Sequence, residues 1–338
     1  MDTVNAQEKE IAVPRLQTHR LLIFLAFAFG IAWITGLIIY LTGGLVNSPV
    51  LFKGSPITLA VVLLATAYMW APALGNIFTR LLTREGFHDL ALRPKFKRGW
   101  LFWLAAWFLP AILTILGMFV YFAFFPSQFD SKFTTLQQLL DNATASTGQA
   151  IPFTAQTYFL IQIAQAVVLS PILNLLAVFG EEFGWRAYLQ PKLMPLGTVK
   201  ALLVVGLIWG VWHWPVIFMG YEYGFNYWGA PFVGPPLFLV FTVSVAILMG
   251  WLVLRAGSIW PSVIFHGAIN GIAALGLIVT IGHPNMLLGP TPIGLLGELP
   301  LILLAAYILI TLPGLKPAQS EFRDSGGGAE NAEKETGI

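Results

Sequence analysis

The chain contains no cysteine, and this absence excludes several chemistries at once. A thiol nucleophile, a thiolate-bound metal, a disulfide framework and prenylation of the chain's own C-terminal cysteine all require that residue. Charge is also scarce, because Asp, Glu, Lys and Arg make up 10% of the 338 residues, against about 25% in a typical soluble protein. The net charge of +2 offers no basic surface for a nucleic acid, so we expect no nucleic-acid partner.

Apolar residues dominate the composition, at 57% of the chain with a mean hydropathy of +0.76. So few charges cannot cover so much apolar surface in water, which excludes a water-soluble enzyme. A transmembrane helix needs about 20 mostly apolar residues. We therefore predict an all-α fold, a polytopic transmembrane helix bundle of about eight spans. The predicted spans are Leu21–Leu41, Ile57–Thr79, Trp100–Phe125, Tyr158–Gly180, Ala201–Gly220, Pro236–Leu254, Ser258–Ile281 and Gly294–Leu315.

The positions of the basic residues predict how this bundle is oriented. With a cytoplasmic N-terminus, 16 of the 18 Lys and Arg residues fall in cytoplasmic segments, and Lys53 and Lys132 fall in outer loops. This bias follows the positive-inside rule and predicts that both termini are cytoplasmic. The predicted division of the chain is a cytoplasmic N-terminal segment 1–20, a transmembrane helical domain 21–315 with a motif core 170–274, and a disordered cytoplasmic tail 316–338.

Ionisable groups within the predicted spans are few, and each is a candidate functional residue because burying charge in a bilayer is costly. Every Asp lies outside the spans, which disfavours an aspartyl intramembrane protease. The motifs H-E-x-x-H and G-x-S-x-G are absent, which disfavours the usual zinc and serine proteases. The candidates are Glu181, Glu182 and Arg186 at the inner end of the fourth span, His213 in the fifth, His266 in the seventh and Glu298 in the eighth.

The acidic pair predicts a division of labour between two neighbouring carboxylates. On a helix, Glu182 lies one turn before Arg186, in the favourable order for an ion pair. Glu181 points about 100° away and lacks that partner. A partly desolvated carboxylate without a cation is a suitable general base. A structural alternative is an acidic pair at the membrane boundary beside an arginine that reaches the head groups.

Two further pairs share the four-residue spacing of one helix face. They are Trp209 with His213, and His266 with Asn270. Alone, each pair also fits a structural hydrogen bond or a polar packing seam between helices. Measured from the inner ends of their helices, Glu181, His213 and His266 lie about 14, 20 and 16 Å deep. We therefore predict that they meet in one layer, nearer the cytoplasmic side, whereas Glu298 lies near the outer end of the eighth span.

The three motifs together resemble a known family. E-E-x-x-x-R, an aromatic residue followed by x-x-x-H, and H-x-x-x-N occur in that order between Ser170 and Ala274. This pattern resembles the CPBP family, also called Abi, which contains type II CAAX prenyl endopeptidases and bacteriocin-processing or self-immunity proteins. The family pattern has Phe where this chain has Trp209, a change that keeps an aromatic wall and that we expect to matter little for the chemistry.

The resemblance implies a glutamate-dependent intramembrane protease of CAAX prenyl endopeptidase type. By that resemblance, Glu181 and His213 activate a water molecule, and His266 and Asn270 stabilise the oxyanion. Glu182 and Arg186 would support the site. The expected partners are a membrane-tethered or lipidated peptide substrate and membrane lipids, in the cell (inner) membrane of a prokaryote.

Two alternatives stay open from the sequence. No cofactor is expected for the glutamate mechanism, but two histidines and a glutamate also suit zinc bound as His₂Glu with an open fourth position. The second alternative is a non-catalytic bacteriocin immunity or scaffold protein whose polar cluster only binds a peptide or an ion.

Overall fold

The computed structural model describes residues 16–312, and within this range the secondary structure is helical. Two isolated bridges, Val50 with Thr58 and Phe129 with Thr280, are the only β-type pairing among these residues. The all-α fold is therefore confirmed. The predicted tail 316–338 and most of the predicted N-terminal segment 1–20 lie outside the described residues.

The described residues contain two short 3₁₀ helices, Pro126–Gln128 and Met194–Leu196. Twelve α-helical elements follow one another along the same residues, and several contain a π-helical turn. They are α1 (Thr18–Leu41), α2 (Leu59–Thr83), α3 (Phe96–Phe124), α4 (Thr134–Thr147), α5 (Ala155–Leu173), α6 (Leu175–Gly184, continued by Trp185–Leu189 and Gln190–Leu193), α7 (Thr198–Trp212), α8 (Trp214–Phe218), α9 (Gly234–Ala256), α10 (Trp260–Ile272), α11 (Leu275–Ile278) and α12 (Leu299–Thr311).

Six segments of the described chain are long and apolar enough to cross a membrane: α1, α2, α3, α5, α9 and the continuous stretch formed by α10 and α11. This makes the chain a multi-pass integral membrane protein. The fifth and eighth predicted spans correspond to the shorter apolar helices α7 and α12. The count of eight spans and the cytoplasmic position of both termini stay predictions.

Two predicted spans differ from the helices that carry the site residues. The predicted span Ala201–Gly220 contains α7 and α8, with His213 at the junction between them. Pro215 lies in the first turn of the second helix, where its missing N–H leaves no bond unmade. The predicted span Tyr158–Gly180 ends in the middle of α6, which continues well beyond it. The acidic pair is consequently enclosed within a helix and not placed at its end.

Glycine allows the helices around the acidic pair to approach closely. A β-carbon added to Gly184 of α6 would lie 2.3 Å from Cβ of Pro72 in α2, and one added to Gly206 of α7 would lie 2.5 Å from Cα of Val243 in α9. Since lipid supplies no hydrophobic drive between helices, such close van der Waals contact is a main source of their association. Gly184 belongs to the first motif, so this packing fixes the position of the acidic pair.

Charged residues gather where the beginning of α1 meets the ends of α2 and α6. Arg20 lies 3.7 Å from Glu85, which also forms an ion pair with Lys192. Arg80 pairs with Asp89 at 2.7 Å. We call this end of the bundle the basic end, because the chain reversals there carry most of the Lys and Arg residues that the sequence assigns to the cytoplasm.

Candidate active site

The side chains of the three motifs converge on one cavity of about 70 Å³. Glu181 from α6, His213 from the α7–α8 junction, and His266 and Asn270 from α10 all line it. A single water molecule needs roughly 10–15 Å³ of such volume, so the cavity has room for several. The prediction that these residues meet is therefore confirmed, while the chemical role of each stays a prediction.

Glu182 and Arg186 form the predicted ion pair, with 3.0 Å between Oε1 and the guanidinium nitrogen NH1. Both side chains are completely buried. Glu182 Oε1 also lies 2.9 Å from Nδ1 of His266, a contact that the sequence did not predict. Glu182 thus joins the first motif to the third, while the other guanidinium nitrogen of Arg186 lies 3.6 Å from the sulfur of Met249.

Glu181 has a different partner. The indole Nε1 of Trp209 donates a hydrogen bond of 2.7 Å to its Oε2. The same indole ring lies under the guanidinium of Arg186, whose Cζ is 4.8 Å from the ring centroid. The backbone carbonyl of Trp209 contacts Nδ1 of His213 at 2.8 Å, and its ring meets that of His266 edge to face at 5.3 Å. Trp209 therefore touches four of the polar site residues.

These contacts determine which histidine nitrogen carries the proton. A carbonyl only accepts, so Nδ1 of His213 must be the donor to Trp209, and Nε2 of the neutral ring is left as an acceptor. Nδ1 of His266 likewise donates to the Glu182 carboxylate. Nε2 of His266 can therefore donate to a substrate oxygen only when both ring nitrogens carry a proton.

Several groups at the cavity were not predicted from the sequence. The Trp209 N–H is one, because it donates a hydrogen bond to Glu181 that a phenylalanine could not donate. The expectation that Trp209 in place of Phe matters little for the chemistry stays a prediction. Tyr68 of α2 and Glu222, after α8, also line the cavity, and no motif pointed to either. Glu298 does not line the cavity; it is fully buried at the start of α12.

These observations define the class of the protein. It is a multi-pass helical membrane protein with a glutamate, two histidines and an asparagine around an internal cavity. Residues 163–272, which contain all three motifs, match the model of a family described as "Type II CAAX prenyl endopeptidase Rce1-like". The chain is also 32% identical over 100 residues to CAAX prenyl protease 2 of Methanococcus maripaludis. The matched region is therefore similar to the Rce1-like branch of the CPBP family, which the three motifs also resemble.

The extent of this similarity is limited. The match to the Methanococcus maripaludis protein covers 29% of this chain and 37% of that relative. The similarity is therefore one of the motif core, and the activity and the substrate of the whole chain are matters for proposal.

The Trp209 hydrogen bond generates a first prediction. Trp209→Phe keeps the ring and the backbone carbonyl but removes the N–H that holds Glu181. Because a hydrogen bond to a charged group contributes about 1.5–3 kcal/mol, we expect kcat to fall by about tenfold to a hundredfold with KM unchanged. The measurement is steady-state cleavage of a peptide by the purified protein, with the melting temperature recorded in parallel.

A matched control for this prediction is Trp214→Phe. Its indole N–H donates to the carbonyl of Pro235 at 3.1 Å, and Trp214 does not line the cavity. The control should therefore lose the same chemical group without losing kcat. Equal rates for the two variants would show that Trp209 does not position Glu181.

The buried ion pair generates a second prediction. Arg186→Ala leaves the Glu182 carboxylate without its cation inside the bundle, which costs about 3–5 kcal/mol. We expect a clearly lower melting temperature in detergent. Arg255→Ala, at an exposed arginine, should melt like the wild type. If Arg186→Ala melted like the wild type and yet lost all activity, the arginine would act on the substrate or on water instead of supporting the fold.

Proposed function

We propose that the chain is an intramembrane endopeptidase that hydrolyses a peptide bond with a water molecule activated by Glu181 and His213. One observation carries this proposal: two hydrogen-bond acceptors, the Glu181 carboxylate and Nε2 of His213, lie at the same cavity. The Glu181 carboxylate is fixed by Trp209, and His213 is fixed with its Nε2 unprotonated. Both groups line a cavity large enough for water.

The proposed reaction follows the usual steps of amide hydrolysis. The water oxygen attacks the carbonyl carbon, and Glu181 takes the water proton while Nε2 of His213 holds the other hydrogen. The oxyanion receives hydrogen bonds from Nε2–H of protonated His266 and from the Asn270 amide. The C–N bond then breaks, and Glu181 gives its proton to the leaving amine.

Glu182 supports this reaction from behind the cavity. Its carboxylate contacts both His266 and the Arg186 guanidinium. A positive imidazolium at His266 is therefore compensated inside the bundle, where an isolated charge would be costly. Glu182 thus connects its ion pair with Arg186 to the oxyanion site, a connection that the contact with Arg186 alone would not make.

The substrate proposed is a peptide that is tethered to the membrane, because the cavity lies within the helix bundle. A lipidated tail is the first example to test, since the relative from Methanococcus maripaludis is named a CAAX prenyl protease. A farnesylated peptide and the same peptide without the lipid, assayed side by side, separate a requirement for lipid from a requirement for sequence.

The catalytic assignment generates a third prediction. Glu181→Gln removes the general base, and the loss of such a group lowers kcat by roughly 10²- to 10⁴-fold. His213→Ala and His266→Ala should also reduce cleavage strongly. The measurement is product formation by the purified variants, detected by mass spectrometry. The matched control is Glu298→Gln, the same change at a buried glutamate outside the cavity, which should retain activity. Full activity of Glu181→Gln would contradict the base assignment.

The proposed mechanism uses no metal, and this generates a fourth prediction. Within residues 16–312 no group of three His, Cys, Asp or Glu side chains is arranged to hold a metal ion. Nδ1 of each site histidine is already bound to a protein acceptor. We expect elemental analysis of active protein to find zinc well below one ion per chain, and chelation to leave the rate unchanged. Stoichiometric zinc that is lost together with activity would favour the His₂Glu alternative.

A further inference from the structure

The break between α7 and α8 separates one backbone carbonyl from its usual helical partner. In an unbroken helix, the N–H of Val216 would donate to the carbonyl of Trp212. At this break it donates to the carbonyl of His213 at 3.1 Å. The intervening Pro215 has no N–H to offer. The Trp212 carbonyl therefore needs a donor from another helix, because an unmade backbone hydrogen bond is costly inside an apolar bundle.

Two side chains from other helices donate to this carbonyl. The hydroxyl of Tyr68 in α2 donates to the Trp212 oxygen at 2.7 Å. The indole N–H of Trp33 in α1 donates to the same oxygen at 3.2 Å. A carbonyl oxygen has two lone pairs, so both hydrogen bonds can form together. Helices α1 and α2 thus hold the peptide unit that joins Trp212 to His213.

Tyr68 is packed tightly enough to fix the position of its hydroxyl. Its side chain is 2% exposed, and its ring lies on that of Trp212, with 4.5 Å between the centroids. A β-carbon added to Gly36 of α1 would lie 3.3 Å from Pro215 and 3.5 Å from the Tyr68 ring. Tyr68 also ends a π-helical turn of α2, Leu64–Tyr68, and such turns are frequent at functional sites.

The peptide unit that Tyr68 holds carries the histidine of the second motif. The carbonyl of Trp212 lies in the same rigid plane as the backbone nitrogen of His213. Nδ1 of His213 donates to the carbonyl of Trp209 at 2.8 Å. The imidazole is therefore fixed at its ring by Trp209 and through its main chain by Tyr68. Both Tyr68 and His213 line the cavity.

From these contacts, and resting on the proposed function, we infer that Tyr68 is a positioning residue for the reaction and acts on His213 through the main chain. Its hydroxyl keeps the helix break in the form that places the imidazole at the cavity. A displacement of about 1 Å can lower the rate of an enzyme roughly a hundredfold, so a small shift of this peptide unit is enough to matter. Trp33 acts in the same way through its longer hydrogen bond.

The inference is tested by removing the two donors separately and together. Tyr68→Phe keeps the ring at the cavity and removes only the hydroxyl. We expect kcat to fall roughly fivefold to twentyfold with KM unchanged, because Trp33 still donates and limits the displacement. Trp33→Phe should lower kcat roughly twofold to fivefold. The double variant should lower kcat by more than the product of the two single effects, because the carbonyl then loses both donors.

The matched control is Tyr223→Phe. The hydroxyl of Tyr223 donates to the carbonyl of Ile293 at 2.9 Å, and its side chain is as buried as that of Tyr68. Tyr223 is not among the residues that line the cavity. The measurements are steady-state cleavage of a peptide in detergent and the melting temperature. We expect both tyrosine variants to lose a similar amount of melting temperature, and only Tyr68→Phe to lose kcat.

Three outcomes would overturn the inference. They are a wild-type kcat in Tyr68→Phe, an equal loss of kcat in Tyr223→Phe, and a raised KM with unchanged kcat in Tyr68→Phe, which would make Tyr68 a substrate contact. If Tyr68→Phe does not fold, Trp33→Phe decides, since Trp33 is 42% exposed and its replacement leaves the core intact. A wild-type kcat in Trp33→Phe would then overturn the role of the Trp212 carbonyl.

These outcomes can be distinguished from a failure of the proposed function. A fully active Glu181→Gln would overturn the proposed peptidase mechanism, whatever the tyrosine variants do. An inactive Glu181→Gln together with a wild-type kcat in Tyr68→Phe would overturn the positioning role of Tyr68 alone.

Discussion

Charge inside a helix bundle in lipid persists only where it is compensated, and the Glu182 carboxylate is compensated twice. Its Oε1 contacts the Arg186 guanidinium at 3.0 Å and the His266 imidazole at 2.9 Å. Loss of either contact would leave a buried group without its partner. The free-energy cost of that loss is a large share of a protein's net stability. The first and third motifs therefore depend on each other energetically, although 84 residues of chain separate Glu182 from His266.

The second motif joins the first through Trp209 and not through its histidine. The indole N–H holds Glu181, the indole face lies against the Arg186 guanidinium, and the backbone carbonyl orients His213. One residue thus fixes the Glu181 carboxylate and separates it from the cation that neutralises the neighbouring carboxylate. This separation explains how two adjacent glutamates can have different chemical environments: one is paired with a cation and the other lines the cavity.

Contacts between residues of one helix could be predicted from the sequence, whereas contacts between residues of different helices could not. Hydropathy gave the apolar spans, and four-residue spacing gave the Glu182–Arg186 pair, because both depend on local geometry alone. The contact between Glu182 and His266, and the indole hydrogen bond to Glu181, depend on how each helix is rotated about its axis. The helix break at His213 was also missed, although Pro215 was a signal for it. Glu222 carried no signal, because it lies in a connection between helices.

The same packing that keeps the charged residues stable must also leave room for water near them. Hydrolysis needs a water molecule, whereas a buried ion pair is stable only where its partners replace the water that they have lost. Both conditions are met within α6. Glu182 and Arg186 are completely buried and paired with each other, while Glu181 lines the cavity. Adjacent residues of a helix point about 100° apart. The first motif can therefore place one carboxylate in a packed layer and the other at a cavity, although no residue separates them.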